Sequence, residues 1–287
     1  MSSRSKRRVI AQETIDIMER GHYTTEDGHK VSIRTTQKKA VEGSFSVHPD
    51  HWDSVLSEAQ SRLKHAENAP EARLEVVAET TFAACRRLIT EESETSVMAL
   101  NFASAKNPGG GFLNGSQAQE EALTRASGLY NCLLANGDYY GFNRSFGSTL
   151  YSDYMIFALE VPVFRDDNDT LLPESYAVSI LTAPAVNAGA LRKNSPKHIP
   201  KIGPTMRRRT EYVLALALRE GMETLVLGAW GCGVFRNDPT EIAEHFAHFL
   251  EPGGTYAKAF RRVVFAIPDF KGSGQNLDAF REVFGKG

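Results

Sequence analysis

The chain has 287 residues, enough for one large domain or two small ones, and is 41% hydrophobic and 24% charged. With 33 Lys and Arg against 35 Asp and Glu its formal charge is −2, so direct nucleic-acid binding is not expected and any anionic ligand must be held by a local site. Cys85, Cys132 and Cys232 lie far apart with no CxxC pair, which argues against a disulfide framework or zinc site and suits the reducing cytoplasm.

In chain order, residues 1–94 read as a mainly helical N-terminal accessory region, without an obvious site, packed on a domain of 95–287. The start, "MSSRSKRRVI", has no apolar stretch behind its basic run, and no segment approaches the ~20 apolar residues of a membrane span, so neither a signal peptide nor a membrane is expected. Val9, Ile10, Ile15, Ile17 and Met18 recur along a predicted helix that stops at Gly21, with Lys6-Arg7-Arg8 as its solvated start. "EDGHKVSIRT" predicts a turn at Asp27-Gly28 and a short strand through Val31 and Ile33. "HWDSVLSEAQSRLKHAE" and "RLEVVAETTFAACRRLITEES" carry apolar residues at helical spacing.

From residue 95 the texture changes. "SVMALNFAS", "YAVSILTAP", "TLVLGAW" and "RVVFAIPDF" are short apolar runs, each ending in Gly, Pro, Asn or Asp. Between them lie the helical segments "SQAQEEALTRASGLYNCLLAN", "PTMRRRTEYVLALALREG" and "DPTEIAEHFAHFL". This alternation predicts an α/β domain whose sheet is buried on both faces, with Val97, Leu100, Ile180, Leu225 and Val264 in the core. "FGSTLYSDYMIFALEVPVFRDDND" reads as a long loop. Its Asp166, Asp167 and Asp169 lack the glycine and terminal glutamate of a calcium loop and read as a solvated turn between edge strands. His245 and His248 have no third ligand nearby in sequence and read as packing and surface; no metal and no cofactor is expected.

Two glycine loops follow strands, and ligands of such sheets sit beyond the strands' carboxyl ends. In the first, "NFASAKNPGGGFLNGSQAQEE", the triplet Gly109-Gly110-Gly111 lets a backbone approach a phosphate closely. Ser116 and Gln119 have capping-box spacing, which puts a helix start near Ser116 and Glu120 and Glu121 in its first turn. The second, "LVLGAWGCGVFRNDP", holds Gly228, Gly231 and Gly233 and ends on Asp238 as N-cap with Pro239 at the first helical position. Its G-x-x-G-x-G spacing is not the dinucleotide fingerprint, and no P-loop motif occurs. Two such loops can cradle a diphosphate.

The triplet, seven residues from Phe112 to Ala118, and Gln119-Glu120-Glu121 resemble the signature of macrodomain-type poly(ADP-ribose) glycohydrolases. "LNFASAKNPGGGF", "TAPAVN" and "GAWGCGVFRND" are similar to the bacterial type, also found in filamentous fungi, and the likeness spans most of 75–287. The resemblance implies a macrodomain-like mixed sheet flanked by helices. It implies cleavage of ribose–ribose O-glycosidic bonds in poly(ADP-ribose), reversal of ADP-ribosylation in the DNA damage response, and a monomer that acts on ADP-ribosylated proteins and releases ADP-ribose. It makes Glu121 the general acid and Glu120 the group that orients ribose hydroxyls. Gly109, Gly110, Gly111 and the turn Gly231-Cys232-Gly233-Val234 would bind diphosphate, and Phe235 would pack beside the scissile ribose. Asn101, Asn107 and Gln119 would meet ribose, and Phe270 would stack on adenine or belong to the core. A mono-ADP-ribosyl-protein hydrolase would use the same pocket. A non-catalytic ADP-ribose reader would have no need of Glu120-Glu121, and the glycine spacing disfavours a dinucleotide-dependent oxidoreductase.

Overall fold

The computed structural model describes residues 3–270 and 272–285. Helix α1 (Arg4–Arg20) is capped by the Ser3 hydroxyl and ends at Gly21, whose φ of 71° is the left-handed geometry that suits glycine. Ile10, Ile17 and Met18 on this helix are buried, but Val9 points outward at 70% exposure. A small hairpin of β1 (His22–Thr24) and β2 (Lys30–Ser32) follows, then α2 (Arg34–Glu42), β3 (Phe45–Val47), α3 (Trp52–His65), β4 (Arg73–Val77) and α4 (Thr81–Arg86). The second part holds β5 (Val97–Phe102), α5 (Gln119–Ala126), α6 (Leu129–Ala135), α7 (Gly137–Ser145), β6 (Met155–Arg165) and β7 (Leu171–Ala183). It continues through α8 (Ala188–Asn194), α9 (Ile202–Arg219), β8 (Thr224–Leu227), α10 (Pro239–Leu250), β9 (Arg262–Ala266) and α11 (Gln275–Phe284).

Seven strands form one mixed sheet in the order β3-β6-β7-β5-β8-β9-β4. The five from β7 to β4 run parallel, and β6 and β3 are antiparallel additions. Both faces are covered, because Leu100, Leu181, Leu225 and Val263 belong to one core and Ala99, Ile180, Val226 and Val264 to the other. That explains why the central strands read as unbroken apolar runs.

Three expectations are corrected. Residues 73–77 are strand, not helix: β4 pairs in parallel with β9 from Arg73↔Arg262 to Val77↔Ala266, pinned by two hydrogen bonds from Arg262 to Glu75 at 2.6 and 2.8 Å. Most of the long loop before Asp166 is the eleven-residue strand β6, and the acidic turn joins two interior strands rather than edge strands. The helix predicted through 116–136 breaks at Ser127, which leaves helical geometry to bridge Val163 of β6. Both outer strands of the sheet, β3 and β4, come from residues before 94, so the expected boundary at 94/95 crosses a continuous sheet.

Candidate active site

The parallel order brings the carboxyl ends of β5, β8 and β9 to one edge. Gly228, just past β8, is wedged between its neighbours: a Cβ there would lie 2.7 Å from the Ala266 carbonyl oxygen and 3.1 Å from the Phe102 ring. One strand end thus carries the first glycine loop, the next the second, and the third leads to Phe270.

The first loop folds around carboxylates. Gly109 and Gly110 have φ of 66° and 60°. A Cβ on Gly110 would sit 2.5 Å from Glu121 Oε1 and 3.0 Å from Glu120 Oε2. Gly111 N–H donates to Glu121 Oε1 at 3.0 Å. Each glycine of the triplet lacks room for a side chain for its own reason: the two carboxyl groups crowd Gly110, Thr124 and Phe112 crowd Gly109, and Ser116 crowds Gly111.

Helix α5 begins at Gln119, not Ser116, and its N-cap Ala118 makes no side-chain cap. The Gln119 amide serves the sheet end instead. Its Oε1 accepts from Phe102 N–H at 2.8 Å, and its Nε2 donates to the Leu100 carbonyl at 2.7 Å and the Thr81 hydroxyl at 3.1 Å. These bonds fix the helix start against β5, so Glu120 and Glu121, about 100° apart around the axis, face different surroundings.

Glu120 is 3% exposed. Its Oε2 accepts from Ser104 N–H at 2.7 Å, and its Oε1 faces the Asn101 amide at 3.4 Å. Burial holds its carboxyl well above the usual carboxylate range and the Glu121 charge pushes the same way, against the Ser104 and Asn101 hydrogen bonds. Glu121 is half-buried. Asn101 is fully buried and also donates to Thr182 at 3.1 Å, which places it beneath Glu120. Asn107 is exposed and accepts from Gly110 N–H at 3.0 Å.

Glu120 has a measurable consequence. Above about pH 4.3, the ordinary glutamate value, the unfolded carboxyl has lost its proton while the folded one retains it. The folded state then binds more protons, and stability falls as pH rises toward the folded pKa. Glu120→Gln removes this proton. Its melting temperature should match that of the unsubstituted chain near pH 4 and exceed it increasingly toward neutrality. Thermal scans across that range check the slope; a difference independent of pH would show that the native carboxyl is not held neutral.

In the second loop, Gly231 has φ of 75° and no room for a Cβ beside Ala185 and Asn237, whereas Gly233 is exposed with nothing within 4 Å. Cys232 is half-buried, Val234 is 80% exposed, and the Phe235 ring lies 6.0 Å from that of Tyr151. The loop is held by α8, through Gly189 N–H to the Phe235 carbonyl at 2.9 Å and Arg192 to the Arg236 carbonyl at 2.8 Å. Phe270 is 63% exposed and not part of the core.

Several supports left no signal in the spacing. Ser104 acts through its backbone. Arg125, 3% exposed, donates to the Ser116 carbonyl at 2.9 Å and Gln117 Oε1 at 2.8 Å. Arg4 and Arg7 reach from α1 to the carbonyls of Asn114 and Gly115 at 3.0 and 2.9 Å. Among the described residues no group of three or more His, Cys, Asp or Glu is placed to hold a metal ion. His245 is buried, and burial lowers its pKa to about 4.

Residues 11–166 match the family model described as microbial-type PARG, catalytic domain. The chain belongs to that family. The match takes in the first loop and both glutamates of this PARG-family chain and stops before the second loop. Poly(ADP-ribose) glycohydrolase (PARG) from Thermomonospora curvata superposes with a TM-score of 0.89 at 44% identity, over 98% of this chain and 100% of that one. The same values hold for that enzyme bound to the inhibitor ADP-HPD. The Deinococcus radiodurans PARG in complex with ADP-ribose gives a TM-score of 0.80 at 43% identity, over 87% of this chain and 96% of that one. Curated protein sequences yield no match. The PARG fold comprises the mixed sheet flanked by helices, and among the described residues no helix is long and apolar enough to cross a membrane.

Proposed function

We propose that the chain is a poly(ADP-ribose) glycohydrolase that cleaves ribose–ribose O-glycosidic bonds and releases ADP-ribose, with Glu121 as its general acid. The observation that carries the assignment of roles is the unequal burial of the two carboxyls: Glu120 lies closed beneath the loop, and Glu121 stands half-buried with Oε1 tied to Gly111 N–H.

Cleavage passes through an oxocarbenium-like sugar, which needs a proton on the departing oxygen and negative charge near the cation. Glu121 gives its proton to the leaving ribose oxygen as the bond to C1 breaks. Its carboxylate then takes a proton from the water that adds to C1, which restores the acid. Glu120 orients the ribose hydroxyls from below. The turn of Gly231, Cys232, Gly233 and Val234 seats the diphosphate with the triplet beside it, Phe235 packs against the scissile ribose, and Asn101, Asn107 and Gln119 support the ribose side. Phe270, exposed past β9, stacks on adenine.

Residues 95–287 carry the chemistry. Residues 1–94 support it by supplying the outer strands and the helix that braces the first loop. In the cell this monomer would strip polymer from ADP-ribosylated proteins in the cytoplasm, as part of the DNA damage response.

Mass spectrometry of products from defined polymer, and separately from mono-ADP-ribosylated protein, tests the reading. Free ADP-ribose should appear from polymer. Intact polymer with release from the mono-modified protein would favour the mono-ADP-ribosyl hydrolase; ADP-ribose binding without turnover on either would leave a reader.

A further inference from the structure

The basic run at the start of α1 reads in sequence as a solvated helix start, and the structure gives it a specific neighbour. Arg4 and Arg7 donate to consecutive carbonyls of the first glycine loop, at Asn114 and Gly115. Gly115 has φ of 71°, and any Cβ on it would strike the Arg4 carbonyl and lie 3.0 Å from Arg8 Cγ. The outer wall of the loop that supports Glu121 is therefore continuous with this turn of α1. Between them lies an open cleft of about 430 Å³ lined by Arg4, Ser5, Arg8 and Asn114.

The charge on this wall is one-sided. Arg4, Lys6, Arg7 and Arg8 fall within five residues, and the first acidic residue is Glu13, which is already paired with Arg165 at 2.6 Å. Lys6 and Arg8 are exposed and make no ion pair with any described residue. A chain of net charge −2 thus places a block of cations beside its catalytic loop. The family-model match begins at residue 11, after this block.

The chemistry supplies a direction. Under the proposed function the diphosphate of the unit being released sits at the second loop, after β8, with the scissile C1 between that loop and Glu121. A general acid stands beside the leaving oxygen, so the rest of the polymer departs on the Glu121 side, over the first loop. Each departing unit carries another diphosphate.

We propose that Arg4 and Arg8, which share one face of α1 and line the cleft with Asn114, form a second anion site that holds a diphosphate of the departing poly(ADP-ribose) strand. This rests on the glycohydrolase reading and extends it: the enzyme grips more than the unit it cuts. Held there, the leaving strand is aligned over Glu121, and long polymers are preferred to short glycosides.

The test uses Arg8→Glu in the full chain, sparing Arg4 and Arg7, which brace the loop. Two substrates are compared at low salt: long polymer, and ADP-ribose joined at the same C1 to a small uncharged alcohol. For the polymer, kcat/KM should fall about tenfold or more, mainly through KM, and its decline with added salt should become shallower. For the small glycoside it should stay within about twofold, because no phosphate lies beyond its scissile bond. Equal losses on both substrates would mean that the run only braces the loop, and unchanged polymer kinetics would remove the site altogether. Cleavage of the small glycoside by the unsubstituted chain tests the glycohydrolase reading separately. Fluorescence anisotropy with labelled polymer reads the site without turnover, and equal affinities of the two proteins would overturn the proposal.

Discussion

Replacing Glu121 with Ala or Gln should abolish polymer hydrolysis while leaving ADP-ribose binding intact. General acid catalysis is worth about 10²–10⁴-fold, and the charge a carboxylate offers the oxocarbenium adds to that. Neither role contributes to holding the diphosphate, whose proposed seat is the second loop, on a different strand. Glu121→Gln is the sharper variant: it keeps the size and can still accept from Gly111 N–H, but has no acidic proton to give. Rates with defined polymer, paired with calorimetric titration of ADP-ribose, separate the two functions. Turnover within tenfold of the unsubstituted chain in either variant would remove Glu121 from the chemistry.

A second large effect is expected at Gly110, through the first by position. Sequence alone suggests that Gly110→Val and Gly233→Val both lose ADP-ribose affinity before they lose their fold. The geometry separates them. A branched side chain at Gly110 meets Glu121 Oε1 at 2.5 Å and Glu120 Oε2 at 3.0 Å, and φ of 60° costs any non-glycine residue about 1–2 kcal/mol. Both carboxyls must move, and displacement of a catalytic group by about 1 Å costs on the order of a hundredfold in rate. Gly110→Val should therefore lower kcat by roughly that factor and change ADP-ribose affinity little. Gly233→Val meets open space and should fold normally, and it should weaken ADP-ribose binding instead, because the isopropyl group would project into the proposed diphosphate seat. Circular dichroism confirms the fold of each, and the split between kcat and affinity decides. Equal affinity losses in both would return the triplet to the role of a phosphate cradle.

How far the sequence could be read depended on whether the determining contacts were local. The core strands β5, β7, β8 and β9 were legible as apolar runs between glycine-rich breaks, because each is buried on both faces. Strand β4 was not. Its five residues run almost directly into α4, and Leu74 and Val76 also fit the helical spacing that follows. What makes it a strand is β9, nearly two hundred residues away. The start of α5 failed for a related reason: Ser116 and Gln119 have the spacing of a capping box, but the sheet end claims the Gln119 amide through Phe102 and Leu100. The glutamate pair was visible as a motif. That one carboxyl is sealed over Asn101 and Ser104 while its neighbour is tied to a glycine N–H depends on how loop and helix close on each other, which no spacing encodes.

The outermost position of β4 also has a consequence for synthesis. Its partner β9 is made some 185 residues later, and β4 pairs with nothing else in the sheet. While the chain is being made at about 5–20 residues per second, β4 waits on the order of ten seconds or more with its backbone donors and acceptors unsatisfied. Closing so long a loop is entropically slow, and an unpaired strand can recruit another chain in the interval. The residues around it fit that hazard. Arg73, Glu75 and Glu79 surround its apolar residues with charge, and Arg262 meets Glu75 as β9 arrives. The β4–β9 pairing is thus a contact that a nascent chain can make only once β9 has been synthesised, and until then charged residues are the edge's protection.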